Sequence, residues 1–200
     1  MNTAFVVIGI NHFEDITHPF IDSLWKHNNQ PFITVVDNYS DVPYNHDRYH
    51  MIRTNERYSF PRAINFALDY TPYWDRIAVF NNDCLCEGAI VDAIANADEN
   101  TFYGSEQNAD NLVYSAWMVF GRKIWETVGR FDEKMSAGWE DFDYQLRCKK
   151  AGFKVDVLKL PVRHLDKHTR FEEAAYNKRW NETRIYFSEK HGVMTKEWLL

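Results

Sequence analysis

Cysteine, glycine and basic charge are all scarce in this 200-residue chain, and each scarcity closes off a class of protein. Three cysteines, Cys84, Cys86 and Cys148, cannot all pair. Cys-x-Cys with no histidine partner nearby is a poor zinc signature, so the chain suits a reducing compartment without a disulfide framework. Lys and Arg number 23 against 29 Asp and Glu, a net charge of −6. Non-specific binding to nucleic acid or an anionic membrane needs basic surface, so both are disfavoured, although a local basic pocket for phosphate is still compatible. No apolar run is long enough to span a bilayer, and the first ten residues hold a short apolar run without a basic leader. These absences predict a cytoplasmic protein, peripheral to a membrane at most. Internal repeats, low-complexity segments and linkers are missing too, which predicts one domain.

Apolar and aromatic residues, by contrast, are plentiful. Hydrophobic residues make up 45% of the chain and aromatics 16%, with seven Trp, enough for a sizeable core and for aromatics at a surface that stacks flat ligands. Ala4–Ile10, residues 32–36 and Arg76–Phe80 are continuous apolar runs of the kind buried in a parallel sheet. Helices are expected near Pro19–Lys26, between the first two runs, and after Phe60-Pro61, where Ala63, Ile64, Ala67 and Leu68 form an apolar stripe. A short strand is expected near His50–Arg53, a helix over 90–97, a strand at 101–103, and one extended segment over 112–120. A helix over 122–128 closed by Gly129, a strand alternating at Phe153, Val155 and Val157, and an amphipathic helix over 172–190 complete the series. The pattern is α/β: a mostly parallel central sheet with helices on both faces and a C-terminal helix. Ligands bind such sheets at the carboxyl ends of the strands. Asn11, Asp37-Asn38 and Asn81-Asn82-Asp83 follow three of those ends.

The chain is organised around Gly138-Trp139-Glu140-Asp141-Phe142-Asp143. Three acids open a helix that Lys149, Lys150 and Gly152 close, an order that suits the helix dipole. Phe142 and Leu146 are expected to pack inward, and Asp143 to pair with Arg147 four residues on. Trp139 is expected to offer an aromatic plate to solvent.

In order, Val35-Val36-Asp37-Asn38-Tyr39-Ser40, Phe60-Pro61-Arg62-Ala63-Ile64-Asn65, Phe80-Asn81-Asn82-Asp83, Gly129-Arg130-Phe131-Asp132-Glu133 and Trp139-Glu140-Asp141-Phe142-Asp143 resemble family 2 glycosyltransferases of the GT-A fold, especially the rhamnosyltransferase-like branch. The resemblance runs from Ala4 to about His164. It implies an inverting transfer of a sugar from a nucleotide-sugar donor, UDP- or dTDP-type, to a hydroxyl acceptor, assisted by Mn²⁺ or Mg²⁺. Asp141 would be the general base and Glu140 its catalytic partner. Ile10, Asn11, Asp37, Asn38, Arg62, Asn65, Asn81, Asn82 and Asp83 would hold the donor, with Asp37 reading the base. Asp83 and His164 would hold the metal, and Trp139 and Trp117 the acceptor. Asn81 stands where the Asp-x-Asp signature has its first acid, which leaves one carboxylate at the metal. The same resemblance divides the single domain into a nucleotide-binding half of about residues 1–105, an acceptor half to about 170 and a helical tail.

Lys167, His168 and Arg170 are candidates for a loop closing over the diphosphate, weighed against ordinary solvated charge. A nucleotidyltransferase is disfavoured, because the first strand is followed by a single glycine, Gly9, rather than a glycine-rich phosphate loop. The remaining alternative is an inactive nucleotide-sugar- or carbohydrate-binding protein on the same scaffold. The acceptor is left open among glycan, lipid-linked sugar, protein and modified nucleic acid, the last disfavoured by the acidic charge, and the setting between polysaccharide biosynthesis and a large virus or phage. The whole reading requires the strand ends to bring Asp37, Asp83 and Asp141 around one cleft.

Overall fold

The computed structural model describes residues 2–108, 111–165 and 173–192, with 173–175 described by backbone alone. The cationic loop residues Lys167, His168 and Arg170 lie outside the described residues. Seven strands form one sheet in the order β10 (Lys154–Val157), β6 (Thr101–Gly104), β9 (Trp117–Gly121), β4 (Arg76–Asn81), β1 (Thr3–Gly9), β2 (Ile33–Asp37) and β3 (His50–Arg53). Neighbours in the β4-β1-β2-β3 half are parallel, as are β10 and β6, while β9 runs antiparallel to both its neighbours. Two small antiparallel pairs flank it: β5 (Cys84–Cys86) with β11 (Val162–His164), and β7 (Glu106–Gln107) with β8 (Val113–Tyr114).

Alternation along β1 sorts its side chains onto two cores. Ala4, Val6 and Ile8 pack with Ala63, Ile64, Ala67 and Leu68 of α2 (Phe60–Tyr70), Ile124 of α4 (Arg122–Val128), and Tyr144 and Cys148 of α5 (Glu140–Lys150). Phe5 and Val7 face the other way, onto Phe20, Ile21 and Leu24 of α1 (His18–His27) and Ile94 of α3 (Val91–Ala95). Each large apolar chain fully withdrawn from water contributes about 1.5–3 kcal/mol, so a sheet covered on both faces needs no further support. Before α1, Phe13–Thr17 form a π-helical turn that continues directly into the helix.

Two expectations need correction. Residues 112–120 are not one strand: the chain turns at Ser115-Ala116, so that β8 leaves the main sheet and β9 joins it. The core face of α5 is Tyr144 and Cys148, an i, i+4 pair. Phe142 and Leu146 are only partly buried and pack against a satellite cluster of Met135, Trp139 and Phe187. Phe187 comes from α6 (Glu173–His191), the C-terminal helix, which lies over the entrance to α5.

Candidate active site

The strand register places the expected donor residues in a row. Asp37 pairs with Gly9 and Asn81 with Ile8, so two strand spacings, about 10 Å of backbone, separate Asp37 from Asn81. Gly9 sits between them because nothing larger fits: a Cβ there would come within 2.7 Å of the Tyr44 hydroxyl and 2.8 Å of Thr17 Oγ1. Tyr44 donates to the Asn11 carbonyl, and Asn82, only 6% exposed, donates to Thr17 Oγ1 at 3.1 Å. Ile10, Asn11, Asp37, Asn38, Asn81, Asn82 and Asp83 therefore all lie at the carboxyl ends of three adjacent strands.

Asp37 is buried, and its oxygens are already engaged. Oδ1 accepts from the Ser40 amide at 2.8 Å; Oδ2 accepts from the Tyr44 amide at 3.1 Å and from the Arg53 guanidinium. Arg53 stands directly opposite Asp37 in the β2–β3 register and also donates to the Ser40 carbonyl at 2.8 Å. The carboxylate thus shapes the 38–44 loop. Asn38 is committed in the same way, to both backbone groups of Tyr58. Arg62 pairs with Glu56 at 2.8 Å, its guanidinium 3.8 Å from the centre of the Tyr58 ring. Asn65 is wholly buried and bonds the Phe131 amide and carbonyl and Glu133 Oε1. It holds the segment entering α5.

At the end of β4, Asp83 is buried with one oxygen 3.0 Å from His164 Nε2, and Asn81 Nδ2 lies 3.4 Å from the same nitrogen. The pairing of β5 with β11 sets this contact, because His164 stands opposite Cys84. Asp83 and His164, 81 residues apart in sequence, become one oxygen-plus-imidazole site. Among the described residues no group of three or more acids, histidines or cysteines that could hold a metal ion converges.

Asp141 is the second residue of α5. Gly138 and Trp139 precede the helix with φ of +75° and +70°, a double left-handed turn that delivers the carboxylate at the helix mouth. Its Oδ1 accepts from the Phe142 amide at 2.8 Å, and it is half-buried rather than sealed. Burial pushes its pKa up to about 6. Glu140, more deeply buried, is pushed higher still, to about 8, by burial and by the neighbouring Asp141 charge. Both carboxyls are thus held above the usual carboxylate range, Glu140 by burial and the Asp141 charge, Asp141 by burial. The Ser115 hydroxyl faces Asp141 and favours its ionised form, yet makes no hydrogen bond of good geometry. Ala116, the next residue, accepts from the Asn81 amide at 3.0 Å. One dipeptide thereby connects Asp141 to the strand end that carries Asp83.

Asp143 lies two residues on and has a different fate. It is fully buried and meets Arg147 at 2.9 Å, Lys190 at 2.7 Å and His191 at 2.8 Å, the last two from α6. The two expected acceptor aromatics are buried as well. Trp139 and Trp117 are each 6% exposed, Trp139 against Trp180 and Phe187 of α6, and Trp117 stacked on Phe80. Trp139 is therefore no open plate. Sequence reasoning missed Arg53, Tyr44 and Ser115. Arg53 ends a strand that was anticipated, but its register against Asp37 becomes visible only when the two strands pair.

No protein-family model matches the chain, and no curated protein sequence does. Solved structures do. A mannosyltransferase from Pyrobaculum calidifontis, PcManGT, in complex with GDP-Man and Mn²⁺, superposes with a TM-score of 0.68 at 14% identity, over 95% of this chain and 64% of that one. GalNAc-T7 with UDP, GalNAc and Mn²⁺ gives 0.67 at 10% identity, over 94% and 50%. S. aureus TarS 1–349 in complex with UDP-GlcNAc gives 0.61 at 14% identity, over 94% and 73%. The chain thus spans about two-thirds of the first and half of the second. At such low identity the likeness concerns architecture: the chain has the GT-A fold found in these glycosyltransferases.

Proposed function

We propose that this chain is an inverting glycosyltransferase that moves a sugar from a nucleoside-diphosphate donor to a hydroxyl acceptor, with Asp141 as general base. The observation that carries this reading is the link at Ser115-Ala116. A half-buried carboxylate at the head of α5 stands across that dipeptide from the Asp83–His164 pair. Such an arrangement can hold a diphosphate on one side and activate an alcohol on the other. Nucleotide or nucleotide-sugar complexes with Mn²⁺ among similar folds support it.

In the proposed reaction the acceptor oxygen bonds to the anomeric carbon as the bond to the diphosphate breaks, and the acceptor proton passes to Asp141. Asp141 is suited to this because its raised pKa, about 6, gives it more proton affinity than a solvated carboxylate while leaving it ionised at neutral pH. Glu140, neutral at that pH, can donate a hydrogen bond without repelling the base. Asp83 and His164 offer the mixed oxygen and nitrogen donors that Mn²⁺ or Mg²⁺ accepts, and two protein ligands leave positions for diphosphate oxygens. A divalent ion bound there supplies positive charge to the leaving diphosphate. The 38–44 loop shaped by Asp37 and Arg53 is the wall for the base, UDP- or dTDP-type. The donor half is 1–105, the acceptor half 106–170, the transferred sugar a hexose or deoxyhexose as in the rhamnosyltransferase-like branch, and the acceptor a glycan handled in the cytoplasm.

Asn81 favours a second reading, an inactive donor-binding protein, because its amide stands where a second carboxylate would strengthen metal binding. One experiment separates the two. UDP-, GDP- and dTDP-sugars are screened with Mn²⁺ for thermal stabilisation, and the stabilising donors are assayed for release of nucleoside diphosphate. A donor at a hundredfold excess over its dissociation constant stabilises by about 2.7 kcal/mol. Stabilisation with turnover supports the transferase. Stabilisation without turnover in any donor and acceptor combination supports the binding protein, and no stabilisation by any donor overturns both.

A further inference from the structure

We propose that Tyr114 is the platform on which the acceptor rests, and that it receives the apolar C–H face of a pyranose ring beside Asp141. The assignment rests on the transferase reading and adds the acceptor's chemical class to it. Burial separates Tyr114 from the two expected acceptor aromatics. Trp117 and Trp139 are each 6% exposed, whereas Tyr114 is 50% exposed. Tyr114 immediately precedes Ser115, whose hydroxyl faces Asp141, and its ring tilts against that of Phe142, the residue after Asp141, with centroids 5.8 Å apart.

An exposed ring serves as a platform only if its position relative to the base is rigid, and the fold supplies that rigidity. Gln145 of α5 is fully buried and closes two hydrogen bonds of 2.7 Å onto Val113, accepting from its amide and donating to its carbonyl. Lys149, one turn further along α5, donates to the Asn111 carbonyl at 2.6 Å. The same helix therefore carries Asp141 and clamps the strand that carries Tyr114. On the other side, the Tyr114 carbonyl accepts from both the Ser105 amide and hydroxyl, at 2.8 and 2.9 Å. Gly104 lets β8 approach β6, since a Cβ there would come within 2.3 Å of Val113 Cγ2. β7 and β8 form their own two-stranded sheet outside the seven-stranded one, so this hairpin stands as a fixed wall on the base's side of the cleft. Tyrosine suits such a wall: its ring offers a flat apolar face at small entropic cost, and neutral sugars present axial C–H groups to such faces.

The test is saturation-transfer NMR on a panel of neutral methyl pyranosides and their oligomers. The wild-type chain is compared with Tyr114→Ala, Tyr114→Phe and Asp141→Asn, and the acceptor KM and kcat are followed wherever turnover is found. The expected result is ring C–H saturation in the wild type, in Tyr114→Phe and in Asp141→Asn, its loss in Tyr114→Ala, and an acceptor KM about tenfold higher in Tyr114→Ala than in Tyr114→Phe. Equal saturation in Tyr114→Ala and wild type overturns the platform, as does loss in Tyr114→Phe, which would move the role to the phenol hydroxyl. A wild type that saturates no pyranoside overturns the platform even while it turns over donor. Conversely, Tyr114-dependent glycan binding without any turnover upholds the platform and removes the transferase reading.

Discussion

Asp141 and Asp143 belong to one short acidic motif at the head of one helix, yet the fold treats them oppositely. Asp143 is fully buried and surrounded by Arg147, Lys190 and His191, so its charge is spent on fastening α6 to α5. Asp141 is half-buried, accepts one backbone hydrogen bond, and faces a serine hydroxyl that has not closed onto it. Asp143 is already held by two cationic side chains and by the His191 imidazole, whereas burial raises the proton affinity of Asp141. Proximity in sequence therefore says little about role; what matters is which face of the helix meets another element. The helix period of 3.6 residues turns Asp143 toward α6 and Asp141 toward the strand ends.

Substitutions can break or sharpen this contrast. The largest effect belongs to Asp141→Asn: transfer should fall by about 10²–10⁴ with the melting temperature nearly unchanged, read by nucleoside-diphosphate release alongside a thermal melt. A smaller loss, or an equal loss of stability, would make Asp141 a second structural acid. Asp143→Asn should do the reverse. It strips the partner from a buried cationic cluster and should cost about 3–5 kcal/mol in denaturant unfolding, with the residual folded enzyme still turning over.

The contrast also has a pH signature. As pH falls through the raised pKa of Asp141, about 6, the base becomes protonated, and kcat/KM should drop tenfold per unit on the acid side. An acid limb near the ordinary aspartate value would show that burial is not acting on the base. A further expected effect concerns Glu140, whose pKa is raised in the folded state to about 8. Folding favours its protonated form, so its contribution to stability is full below the unfolded pKa near 4.5 and is lost as pH rises through 8. Glu140→Gln, which stays neutral, should melt higher than the wild type at pH 8, with the gap closing by pH 5. A gap that does not change with pH would show that Glu140 is not the titrating group.

Much of this was legible before any coordinates. Continuous apolar runs ending in polar residues located β1, β2 and β4, and the acids and bases at opposite ends of one segment located α5, because both signals are local. The positions of Asp83 after β4 and of Asp141 at the head of α5 were legible for the same reason. The roles of the aromatics were not. Trp139 reads as an exposed plate until α6, about fifty residues later in the chain, lays Trp180 and Phe187 over it. Asn65 shares a motif with Arg62, but its helix face meets the segment that enters α5.

By itself, the sequence determined the element order, the apolar faces and the acids available at strand ends, since each depends on residues a few positions apart. Only the tertiary structure decided which of those groups stayed open. It joined Asp83 to His164, closed Asp37 with Arg53 and Asp143 with α6, buried two tryptophans and left Tyr114 exposed. The physical reason is that burial and charge pairing are set by neighbours distant in sequence, and a polar or aromatic group is free to act on a ligand only where packing has not already claimed it.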